Sequence, residues 1–105
     1  MGHSFLFILE SNVPLTEAEM SLHLAMFAVE GLAGRARVRM DASYRIDEGG
    51  HAILVGAGNR VGRMIARVFA GLLHREFGEE AFHIERVDQS SARSVNRRQG
   101  EEAVA

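Results

Sequence analysis

The chain has 105 residues, 47% hydrophobic and 25% charged, which is the composition of one globular domain with its own core rather than of a disordered or fibrous segment. It contains no cysteine, so disulfides, thiolate metal sites and cysteine nucleophiles are excluded. A net charge of −2 and a pI near 6.2 argue against a coat for nucleic acid or acidic membranes.

All twelve basic residues are arginine, which removes lysine Schiff-base chemistry and the lysine of a P-loop. There is no run of roughly 18 apolar residues, and Met1-Gly2-His3-Ser4 lacks the charged start of a signal peptide. The expectation is a cytoplasmic protein without a membrane partner.

Phe5-Leu6-Phe7-Ile8-Leu9 is apolar throughout and too short for a helix, so it reads as a central strand covered on both faces. Thr16 and Glu19 have the spacing of a capping box, with Leu15 and Met20 as a hydrophobic staple. A helix is expected over 17–30, stopped by Gly31 as a left-handed cap. Residues 35–47 then alternate, with Ala36, Val38, Met40, Ala42 and Tyr44 against Arg35, Arg37, Arg39, Asp41, Ser43 and Arg45. That period of two predicts a half-exposed strand.

Asp47-Glu48-Gly49-Gly50 is a short glycine-rich turn, so the apolar stretch 51–56 is expected to return antiparallel as a hairpin. A second helix should open near Asn59 and run to Glu76 or Phe77, burying Val61, Ile65, Val68, Leu72 and Phe77 and closing at Gly78. The last strand is expected over 81–88, with Phe82 and Ile84 against His83 and Glu85. Residues 89–105 are polar and read as a flexible C-terminal tail on a domain spanning 1–88.

The element order β-α-β-β-α-β predicts the ferredoxin-like plan: an α+β sandwich whose four-stranded antiparallel sheet has order 4-1-3-2, with two helices on one face. The two fully apolar strands, the first and third, occupy the inside positions.

Gly56-Ala57-Gly58-Asn59-Arg60-Val61-Gly62 follows a strand and opens a helix, with Glu85 and Asp88 further on, and resembles the dinucleotide fingerprint of Rossmann domains. The resemblance implies a phosphate at the helix start. The hairpin context opposes it, because a Rossmann unit needs this strand to begin a parallel series. Arg60 and Arg63 nevertheless sit in the first helical turn, where positive charge opposes the helix dipole. Gly56, Gly58, Asn59, Arg60, Gly62 and Arg63 are therefore candidate ligands for an anionic small molecule.

With both helices on one side, the other sheet face is open. It presents either Phe5, Phe7 and Leu9 or Leu6 and Ile8, beside Ala52 and Leu54 or Ile53 and Val55. The candidate interface set is Phe5, Phe7, Leu9, Ile53 and Val55, flanked by Arg37 and Arg39 from the second strand. An apolar centre with a charged rim is the anatomy of a protein interface, so a homo-oligomer is expected. The first helix adds a second apolar line, Met20, Leu24 and Phe27. Leu6-Phe7-Ile8-Leu9-Glu10-Ser11-Asn12 resembles the RNP2 strand of the RNA recognition motif, but the third strand has no aromatic residue for stacking, so no nucleic-acid partner is expected.

His3, His23, His51, His74 and His83 include no helical i, i+4 pair, so no metal or other cofactor is assigned. Ser11 and the Glu79-Glu80 pair stand in no catalytic motif, and no catalytic residue is assigned. The functional expectation is a non-enzymatic association module, with a regulatory domain for a phosphate-bearing or other anionic ligand as the alternative.

Overall fold

The computed structural model describes residues 3–88; the segment 89–105, expected to be a tail, lies outside them. In chain order the elements are β1 (His3–Leu9), α1 (Leu15–Ala33), α2 (Arg35–Asp41), β2 (Tyr44–Asp47), β3 (Ala52–Gly56), α3 (Arg60–Phe77), a 3-10 turn (Glu79–Ala81) and β4 (Phe82–Asp88). They form an α+β structure in which one antiparallel four-stranded sheet is joined by three α-helices, one more than expected. The strand order is β2-β3-β1-β4, or 4-1-3-2 from the other edge, with β1 and β3 inside.

The additional helix arises where a long strand was expected. Gly34, at φ 96 and ψ 146, turns the chain out of α1, and residues 35–41 wind into α2 instead of extending. Arginine, alanine and methionine are good helix formers, and a seven-residue segment is too short for alternation to tell the two periods apart. Only Val38 of α2 is buried. β2 is thereby reduced to Tyr44–Asp47.

α1 also departs from expectation at both ends. Thr16 lies inside it and caps nothing; Pro14 holds the N-cap position, and its carbonyl accepts from the N–H groups of Glu17 and Ala18, both at 3.1 Å. A proline's fixed φ suits this boundary, and the helix begins directly after it. Gly31 is passed through, and the stop falls at Gly34, whose N–H donates to the Glu30 carbonyl at 2.9 Å.

α3 keeps its expected ends, capped by Asn59 and stopped by Gly78 at φ 95. Its buried line is Val61, Ile65, Phe69 and Leu73, while Val68, Leu72 and Phe77 are only half-buried at its margin. The stripe therefore follows i, i+4 spacing straight along the sheet.

The core lies between α1, α3 and one face of the sheet. Phe7, Leu9, Ile53 and Val55 point into it and meet Leu22, Val29, Ile65, Phe69 and Leu73. The Phe7 and Phe69 rings are 4.7 Å apart at 55°, a tilted contact that adds to the area they bury. β1 is thus covered by helices on one face only.

Candidate functional site

The strand registers decide which side chains share the face away from the helices. Leu6 stands opposite Leu54 on β3 and Glu85 on β4; Ile8 stands opposite Ala52 and His83. Ser4 pairs with Gly56 and Val87, and Arg45 and Asp47 of β2 continue the row beside Leu54 and Ala52. This face therefore has the half-buried Leu6, Ile8 and Leu54 and the buried Ala52 at its centre, bordered by Arg45 and Asp47 on one edge and His83 and Glu85 on the other. A shallow hollow of about 160 Å³ lies in it, lined by Ser4, Ser43, Arg45, Leu54 and Gly56.

Of the two parities the sequence left open, the named candidate set lies on the other side. Phe7, Leu9, Ile53 and Val55 are 5% exposed or less and serve the core, and Phe5 packs against its edge. Arg37 and Arg39 belong to α2 and do not flank the sheet. The β1–β4 register decides the parity by setting the polar His83 and Glu85 opposite Ile8 and Leu6.

The β3–α3 turn brings Gly56, Gly58, Asn59, Arg60, Gly62 and Arg63 together, but much of its polar capacity is used internally. The Gly62 N–H donates to the Asn59 side-chain oxygen at 2.8 Å, and the Asn59 amide donates to the Asp41 carbonyl at 2.9 Å. The Gly56 N–H goes to Ser43 and that of Ala57 to His3. A Cβ on Gly62 would collide with the Gly56 carbonyl oxygen, so the glycine is explained by the close approach of helix and strand.

Beside this turn lies a groove that the sequence reading missed. It has a volume of about 490 Å³ and is lined by Leu32, Ala33, Arg37, Arg60, Val61 and Met64. Arg37 and Arg60, which had been assigned to two different candidate sites, face this one space because α2 folds back over the start of α3. Neither makes a hydrogen bond or ion pair among the described residues. Two guanidinium groups over an apolar floor can hold an anion that carries a nonpolar part.

The histidines are dispersed. His51 donates from Nε2 to the Val13 carbonyl at 2.7 Å, His74 lies 3.4 Å from Glu79, and His83 lies 3.6 Å from Glu85. Among the described residues no three His, Asp or Glu side chains gather as a metal site would require. No helix there is long and apolar enough to cross a membrane. Compared with family models, with curated proteins and with solved structures, the chain matches none.

Proposed function

We propose that this chain is a ferredoxin-like, non-enzymatic association module of the cytoplasm, which pairs with a second copy of itself through the open face of its sheet. The observation that carries the reading is the row Leu6, Ile8 and Leu54 at the centre of a sheet face that no helix covers. Water on an apolar sheet centre is costly, at about 25 cal/mol per Å² of apolar surface left exposed. The charged edges, Arg45 and Asp47 on β2 and His83 and Glu85 on β4, form the rim that a specific contact uses for orientation.

The test is the mass in solution of the wild-type chain and of Leu54→Arg, with far-UV circular dichroism as a control for folding. The wild type should associate, and the substitution should weaken that association at least tenfold, as the loss of a central apolar contact does. Undiminished association in a folded Leu54→Arg protein would remove the sheet face from the account.

A second reading is favoured by the unpaired Arg37 and Arg60 over the apolar groove. In this reading the groove binds a small phosphate- or carboxylate-bearing molecule with a nonpolar group. Amide NMR titration with phenyl phosphate should shift Arg37, Arg60 and Met64 selectively, and Arg37→Gln with Arg60→Gln should abolish the shifts. Uniform or absent shifts would reject it.

A further inference from the structure

The most exposed large apolar side chains belong to the helical layer, on the opposite side of the molecule from the open sheet face. Met20, Leu24 and Phe27 are 68%, 59% and 71% exposed. Their spacing of four and three residues sets them in one line along the outside of α1. The inner line of the same helix, Ala18, Leu22, Ala25 and Val29, is fully buried. α1 is thus apolar on two opposite faces, although one suffices to hold it on the sheet.

The charges around this line have a direction. The start of α1 and the end of α3 lie at one end of the layer, where Ser21 donates to Glu76 at 2.5 Å. That end carries Glu17, Glu79 and Glu80, with Arg75 as the one α3 arginine near it. The other end, where α1 passes into α2 and α3 begins, carries Arg37, Arg39 and Arg60, with Arg35 and Arg63 beside them, and these outnumber Glu30 and Asp41 there. Arg37, Arg39 and Arg60 have no partner among the described residues. One end of the helical layer is acidic and the other basic, with the apolar line running between them.

We infer that the outer face of α1 packs against the same face of a second copy, antiparallel, about a two-fold axis passing near Leu24. This arrangement lays Met20 of one copy toward Phe27 of the other. It also sets the acidic end of each layer over the basic end of its partner, so the charge complementarity is satisfied twice. A parallel pairing would stack like charges at both ends. Leu32, although 76% exposed, stands off this line and faces the groove with Arg37 and Arg60. The three side chains of the line offer on the order of 400 Å² per copy, so the pair buries roughly 800 Å², the size of a weak, concentration-dependent contact. The contact is separate from the sheet pairing proposed above and does not depend on it; with both in place, copies stack alternately sheet to sheet and helix to helix.

The experiment measures solution mass over a range of concentrations for the wild type, Leu54→Arg, Leu24→Glu and the double variant. Because the chain has no cysteine of its own, oxidative crosslinking of Leu24→Cys reports the helical contact separately. The inference expects Leu54→Arg to remain dimeric, the double variant to be monomeric, and Leu24→Cys to crosslink rapidly to its own copy. Leu24 is largely exposed in the single chain, so its substitution should leave the circular dichroism spectrum unchanged. A monomeric Leu54→Arg protein, together with slow crosslinking of Leu24→Cys, would overturn the helical contact and leave the sheet pairing standing. A Leu54→Arg dimer that Leu24→Glu dissociates supports the helical contact whatever becomes of the sheet pairing.

Discussion

Asn59 ties three parts of the chain together with one side chain. Its oxygen accepts from the Gly62 N–H to cap α3, and its amide donates to the Asp41 carbonyl at the end of α2. A helix N-cap is worth about 1 kcal/mol, and the second bond adds a similar amount because it holds α2 beside α3. Asn59→Ala should therefore destabilise the fold by about 1–2 kcal/mol in urea unfolding. Asn59→Ser, which keeps a capping oxygen but not the amide, should lose roughly half as much. Equal stability of all three proteins would show that neither bond contributes. The same residue illustrates what a sequence can convey: its capping role was readable from its place before the helix, while its bond to Asp41 depends on a helix that the alternating pattern concealed.

At the scale of elements, the two glycines near the end of α1 make opposite predictions. Gly31 lies within the helix with open space around its Cα, and Gly34 holds φ 96. Gly31→Ala should stabilise by about 0.5–1 kcal/mol by removing the flexibility of a helical glycine. Gly34→Ala should destabilise by about 1–3 kcal/mol, because a side chain is strained in that conformation. The reverse outcome would mean that α1 ends at Gly31, as the sequence pattern alone had indicated. β1, β3, β4 and α3 were legible because their apolar runs and the Gly78 stop of α3 are strong, and α1 was legible as a helix though not in its ends. Residues 35–41 were not, because arginine alternating with alanine, valine and methionine satisfies a short helix as well as a strand. The candidate interface suffered from a related ambiguity. A strand that is apolar at every position does not reveal which parity faces the helices, and Leu6, Ile8 and Leu54 emerged only once the registers with β2 and β4 were in place.

At the scale of the molecule, the helices and sheet of the described residues enclose a core, and among those residues an apolar sheet face and an apolar helical face lie outside it, on opposite sides. The sheet face is bordered by charge at both edges; the helical face is polarised from end to end. The groove holding Arg37 and Arg60 lies at the basic end of the helical layer. A ligand bound there would therefore sit beside the helical contact. The central claim is that the chain works by joining copies of itself through the sheet. Sedimentation velocity of the wild-type chain and of Leu54→Arg tests this most directly. The account predicts a wild-type species of at least twice the 11.6 kDa chain mass and a smaller species for the variant. A wild-type protein that remains a single 11.6 kDa species at the highest concentration reached would contradict it.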